Sequence, residues 1–294
     1  MPAPLTVRGA FCLAFAPMLV AGCATAPLDE AGSLSSYSDL AAADGLVTKT
    51  KLRVNKDAVL AAKTVRLVPA TFSDAARRDG VSDAQRALVA NAVNRSLCAG
   101  LSERFEVVSA SDPADLTVHA VITHMTVTDP NAVAATKVAS VAKSFLLPGV
   151  PVPTPRLPIG LGTLSIEAEA RARNGTQDAA MVWGRGANAL SGSARVSNVG
   201  DAYELANAFG EDFSKLMVTG ESPFKSLSGP PSAERLQSWA GGAPKYAACE
   251  VFGREQGVTG LVSGAVGLPP EWTDKGSGAP VVAAAAEPAQ EAAQ

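Results

Sequence analysis

Apolar and polar residues alternate most regularly between residues 163 and 173, where Leu164, Ile166, Ala168, Ala170 and Ala172 interleave with Ser165, Glu167, Glu169, Arg171 and Arg173. A period of two sends the apolar set to a buried face and the charged set to an open one, which predicts a half-buried strand. Asn174-Gly175 follows, and this pair suits the positive φ values of a tight hairpin turn. In that register Ala179, Met181 and Trp183 return on the buried side, with Asp178 opposite Arg171.

The remaining patterns place elements on either side of this hairpin. A strand is predicted over 64–72, and a helix capped by Ser82 or Asp83 carries Val89, Val93, Leu97 and Leu101 along one stripe. A short strand, 105–108, comes next. In the long strand 116–128 the apolar parity changes near His124, which predicts a bulge or burial on both faces. A last helix from Asp201 presents Leu205, Phe209, Phe213, Leu216 and Met217 on one side. The order is close to β-α-β-β-β-β-α. This predicts an α+β fold, a two-layer sandwich in which a mixed, mostly antiparallel sheet carries helices on one face, plus an irregular C-terminal extension.

Two segments stand outside this scheme. Residues 131–162 place a short helix over 132–147 and then a proline-rich run over 148–158 between two strands, a length that is uncommon in a compact domain. Phe145, Leu146, Leu147, Leu157 and Ile159 are its candidate partner-binding residues, and the competing reading folds them back over an open sheet face or edge. From residue 220 to 275 the chain is rich in Gly and Pro, and 276–294 has the Ala, Pro, Glu and Gln composition of a disordered tail.

At the other end, Arg8 precedes an apolar run that ends in Leu19-Val20-Ala21-Gly22-Cys23. Residues 1–22 read as a secretory signal, too short and too interrupted by Pro17 to span a bilayer. The spacing resembles the lipobox of bacterial lipoproteins, which implies cleavage between Gly22 and Cys23 and lipid attached to the Cys23 thiol. Each buried methylene contributes about 0.8 kcal/mol, so two or three acyl chains hold a protein on a membrane almost permanently. Ala24 is not the aspartate that, by analogy with enterobacterial lipoproteins, favours inner-membrane retention. The expected location is therefore the outer membrane, with the domain in the periplasm.

Residues 23–63 read as a tether leading into a domain that spans 64–219. Within the tether, Gly32-Ser33-Leu34-Ser35-Ser36-Tyr37-Ser38-Asp39-Leu40 is similar to the start of a bacterial lipoprotein family catalogued as domain of unknown function 3313. In that family Gly-x-Leu-x-x-Tyr-Ser-x-Leu follows the lipobox at a short distance. The resemblance implies a location and a globular domain, and it carries no chemistry to transfer. Leu34, Tyr37 and Leu40 are expected to pin the tether to the domain.

Composition narrows the function further. Hydrophobic residues make up 47% of the chain and the net charge is -3, while Lys and Arg form no basic run, so nucleic acid is not an expected partner. Of four cysteines, Cys12 leaves with the signal and Cys23 carries lipid. Cys98 and Cys249 remain for an oxidising compartment, where they either close a disulfide or stay as two small buried side chains. His119 and His124 fall on opposite faces of a regular strand, so no metal site is expected. Ser140-Val-Ala-Lys143 matches a Ser/Lys pattern without its companion elements, and the glycines of 184–189 lack the helix that a dinucleotide cradle needs. No catalytic residue and no cofactor are expected. The favoured reading is a lipid-anchored, non-catalytic protein that binds another envelope component. An accessory role in envelope transport, binding lipid or a small apolar ligand, comes second, and a hydrolase last.

Overall fold

In a computed structural model of the chain, the described residues are 25–77, 80–146, 156, 159–188, 195–225, 231–274 and 276. Eight strands form one mixed sheet: β1 (Ala41–Ala42), β2 (Thr48–Val54), β3 (Thr64–Leu67), β4 (Thr71–Phe72), β5 (Glu106–Val108), β6 (Leu116–Thr126), β7 (Thr163–Ala172) and β8 (Gln177–Gly186). Their spatial order is β1-β2-β8-β7-β6-β3-β5, with β4 beside β6. The long central pairings β2-β8, β8-β7 and β7-β6 are antiparallel, while β3 and β4 run parallel to β6 and β5 runs parallel to β3.

Local chemistry explains most element boundaries. The strand expected over 64–72 is split, because Pro69 has no N–H for the ladder and β3 stops at Leu67. Helix α2 (Asp83–Leu101) opens with a reciprocal cap, Ser82 Oγ accepting from Gln85 N and Gln85 answering to the Ser82 backbone. Helix α4 (Gly200–Thr219) closes on Gly220 in the left-handed conformation. Two further helices, α1 (Lys56–Ala61) and α3 (Pro130–Leu146), join strands.

Helices α2 and α4 cover one face of the sheet and run in the same direction. A methyl group at Gly210 would sit 2.4 Å from Cβ of Ser96, and one at Gly100 would sit 2.5 Å from Cβ of Ser214, so the two backbones approach through a seam that only small residues allow. Beneath them Trp183, Ile166, Met181, Phe209 and Phe213 are fully buried. Trp183 meets Phe209 edge-on at 5.6 Å between ring centroids.

The indole of Trp183 donates to Asp212 Oδ2 at 2.8 Å. Burial pushes this carboxyl up to about 6 from its ordinary value, against the Trp183 hydrogen bond and nearby Arg185. The folded protein therefore holds a proton that the unfolded chain has released, and stability falls as the pH rises from about 4 through 6. The loss is on the order of 2 to 3 kcal/mol. Asp212→Asn keeps an acceptor for the indole and removes the titration. Urea midpoints taken between pH 4 and 8 should show the wild-type decline and a flatter profile in the variant.

Two details differ from the sequence reading, and a third agrees with it. Residues 41–54, read as part of a tether, supply β1 and β2. β2 extends the sheet from β8, with Thr50 beside Trp183 and Leu52 beside Met181. Its Thr-Lys-Thr-Lys alternation is a strand signal hidden by low hydrophobicity. In the hairpin, Arg171 pairs with Gln177 because the register shifts between Ala170 and Arg171, so Asp178 is the extra residue of a bulge. A second shift between Ile122 and His124 accounts for the parity change in β6.

The C-terminal extension is ordered over much of its length. Helix α5 (Ala233–Trp239) and a 3-10 turn (Ala247–Phe252) dock on α2, α6 (Gly257–Val266) packs on α5 and α7 (Pro270–Thr273), and Gln256 and Asp274 hydrogen-bond Tyr203 near the start of α4.

Candidate functional site

The alternation in β7 predicts that Glu167 and Glu169 face solvent, yet both are buried, Glu167 completely. Residues 27–40 lie along the sheet face opposite α2 and α4 and supply the missing partners. Glu167 accepts from Ala31 N at 2.8 Å, Ser33 N at 3.2 Å, Tyr37 OH at 2.6 Å and the Ser33 hydroxyl. Glu169 accepts from Ser35 N at 2.8 Å, Ser35 Oγ at 2.6 Å and Gln177 Nε2 at 2.6 Å. A buried carboxylate is tolerated when its lone pairs are filled in this way.

The Gly-x-Leu-x-x-Tyr-Ser-x-Leu pattern thus has a physical role. Gly32 takes a positive φ of 76°. Leu34 is buried against Ala180 and Val182, with Leu28, Tyr37 and Leu40 around it. Burial and the bond to Glu167 raise the Tyr37 phenol above its usual range. Gly184, first of the glycines in the 184–189 run, makes room for this strap, since a methyl there would come 2.9 Å from Leu28 Cδ2 and 3.2 Å from Pro27 O. The pairing has a sequence signature that composition concealed: serines two apart, Ser33 and Ser35, match glutamates two apart, Glu167 and Glu169.

Beyond the strap the same face opens into a cleft of about 680 Å³ whose lining includes Arg66, His119, Glu169, Arg171 and Arg173. Arg66 donates to Thr117 Oγ1 at 3.0 Å and Arg173 pairs with Asp115 at 3.3 Å. Burial lowers the His119 imidazole below its usual value. Because of the β6 bulge, His119 and His124 stand opposite Glu169 and Ser165, which share a face. They are four pairing positions apart, about 13 Å along the strand, so they still cannot share a metal. Among the described residues no group of three or more His, Cys, Asp or Glu is placed to hold a metal ion.

The extension builds a second polar region. Cys98 of α2 is bonded to Cys249 of the 3-10 turn, with 5.8 Å between their Cα atoms. Arg95, one turn earlier, is buried and reaches both carboxylate oxygens of Asp274, the Tyr203 hydroxyl at 3.1 Å and the Phe252 carbonyl at 3.5 Å. Tyr203 OH in turn donates to Asp274 Oδ2 at 2.8 Å, and burial raises its phenol well above the ordinary range. Burial likewise raises Glu255, whose carboxylate is 3.8 Å from Arg95 Nε. Beside this knot lies a cleft of about 430 Å³ lined in part by Arg195, Tyr203, Glu204, Trp239, Glu255 and Gln256. Arg95 lies on the polar face of a helix pattern, and nothing in its neighbours announces a partner 179 residues away.

Gly22, Cys23, Leu147 and Leu157 lie outside the described residues. Phe145 and Leu146 end α3, with side chains outside the description, as are those of Ser140 and Lys143. Ile159 is 61% exposed.

The sequence profile of the family described as "Protein of unknown function (DUF3313)" matches residues 29–213. The chain belongs to this family. The match opens in the strap and closes in α4, so the family unit holds the whole sheet, with the strap as part of it. No curated protein matches. Among solved structures, a PelC dodecamer from Paraburkholderia phytofirmans is similar at 10% identity and a TM-score of 0.31, covering 62% of this chain and 99% of that one. A DUF4136 family protein from Bacteroides thetaiotaomicron is similar at 10% identity and a TM-score of 0.28, covering 61% and 100%.

Proposed function

We propose that this protein is an outer-membrane lipoprotein, anchored through lipid on Cys23, whose periplasmic domain binds another envelope component and performs no chemistry of its own. The observation that carries this reading is the closeness of the lipobox to the strap. Only two residues, Ala24 and Thr25, separate Cys23 from Ala26, which lies against the sheet at Gly184. A lipid on Cys23 would therefore hold a rigid body close to the bilayer, where a long polar tether would let it roam. The bonded Cys98 and Cys249 suit an oxidising compartment. The two clefts are lined by arginines and carboxylates, which favours a polar or charged partner over an apolar ligand.

Fractionation of cells that produce Cys23→Ala is the test, with intact-mass measurement of the natural protein. The variant should leave the outer-membrane fraction, and the natural mass should correspond to a chain that starts at Cys23 and carries acyl groups. A variant that stays in the membrane like wild type, or an unmodified thiol, would falsify the assignment.

A further inference from the structure

Helix α6 is built inside out. Gly257, Gly260, Ser263 and Gly264 face the protein, while Val258 (68% exposed), Leu261 (69%), Val262 and Val266 face outward. No charged residue occurs between 257 and 270. Trp272, 71% exposed, follows in α7, six residues after Val266. A water-facing helix ordinarily shows the reverse pattern, and four apolar side chains turned outward on one short helix with no charge among them mark a contact surface.

The fold places this helix near the expected anchor. Thr126, Thr163 and Gly186 close one end of the three central strands. Just beyond them Thr128 N donates to Asn198 O at 2.8 Å and Gly162 N to Asp201 at 2.8 Å. Val196 N donates to Gly267 O at 2.9 Å and Lys137 Nζ to Ala265 O at 2.8 Å, which fixes the end of α6 at this same edge. The strap enters here as well, Pro27 O accepting from Ser165 Oγ at 2.6 Å before residues 31 to 35 follow β7 away. Val138, next to the Lys137 that reaches Ala265, and Ile159, next to the Gly160 whose carbonyl accepts from Asp129 N, are exposed.

The three residue steps from Cys23 to Ala26 span at most about 11 Å. One headgroup layer is about 5 to 7.5 Å thick, so Ala26 stands no further than about two such layers from the Cys23 sulfur. From this geometry we infer that α6 and Trp272 lie in the headgroup region of the bilayer that holds the Cys23 lipid, an inference that rests on the anchor reading above. Ten residues of helix are about 15 Å long, too short to cross a membrane. They offer a footprint of about 150 Å², far below the roughly 800 Å² per partner of a stable protein interface. An apolar face flanked by an exposed indole is the pattern of a helix lying in a lipid interface.

The test uses the lipidated protein purified from membranes and reconstituted on vesicles of phosphatidylethanolamine and phosphatidylglycerol, with or without brominated acyl chains. Of three tryptophans, Trp183 is buried and stays unquenched. Bromine should at least halve the remaining emission, and Trp272→Phe should abolish most of that quenching. The triple variant Val258→Ser, Leu261→Ser, Val262→Ser should still float with the vesicles and lose the quenching. Wild-type protein that floats but shows equal emission in both vesicles overturns the inference and leaves the anchor standing. Self-association that shields Trp272 without lipid overturns it in favour of a second copy. Protein that carries no lipid mass and does not float overturns the anchor reading, and this inference with it.

Discussion

Glu167→Ala is expected to destabilise the fold by about 3 to 5 kcal/mol, because it removes the acceptor shared by four part-buried donors, and hydrogen bonds to a charged group contribute about 1.5 to 3 kcal/mol each. Those donors belong to Ala31, Ser33 and Tyr37, so the effect should fall on the strap first. Residues 25–40 should become sensitive to protease at concentrations that leave wild type intact, and the urea midpoint should drop. Tyr37→Phe is the graded control: it deletes one charge-assisted bond of 2.6 Å and should cost about 1.5 to 3 kcal/mol. If Glu167→Ala unfolds within about 0.5 kcal/mol of wild type, the size of an ordinary surface change, and resists protease equally, the strap is not held by this carboxylate.

Loss of the Cys98–Cys249 bond should have a comparable effect. The bond closes a sequence separation of 151 residues, for which the chain-entropy account gives about 5 kcal/mol and measured native disulfides about 2 to 5. The double variant Cys98→Ala, Cys249→Ala should lose that much stability and unfold at a lower urea concentration, and dithiothreitol should have the same effect on wild type and none on the variant. Arg95 and Asp274 still tie the extension to α2 in the variant. Exchange of backbone amides for deuterium should therefore rise most in the 3-10 turn 247–252, with the sheet protected. Identical midpoints for oxidised and reduced wild type would refute this.

The sandwich was legible because its main elements carry strong local signals. The alternation of β7, the Asn174-Gly175 turn and the stripes of α2 and α4 each follow from one period. What escaped was non-local. β2 is low in apolar residues and becomes a strand only by pairing with β8, at a separation that no window of sequence spans. Glu167 and Glu169 read as solvated because charge in an alternating strand usually means water. Here it means a strap with serines in step. The bulge at Asp178 follows from the pairing of Ala170 with Ala179 and Arg171 with Gln177, which periodicity alone does not specify. The Cys98 and Cys249 pairing and the Arg95 knot both link α2 to a segment about 150 to 180 residues later, and their geometry could come only from the folded chain. The lipobox is the converse case, since its reading rests wholly on sequence.

The strap and β2 have their partners in β7 and β8, more than 120 residues further along the chain. A polypeptide emerging amino end first therefore presents these early residues long before β7 and β8 exist for them to settle on, and ring closures of this length are slow. The serines of the strap and the Thr-Lys alternation of β2 leave little apolar surface to misassociate during that wait. Assembly of this body accordingly finishes at the end that was made first.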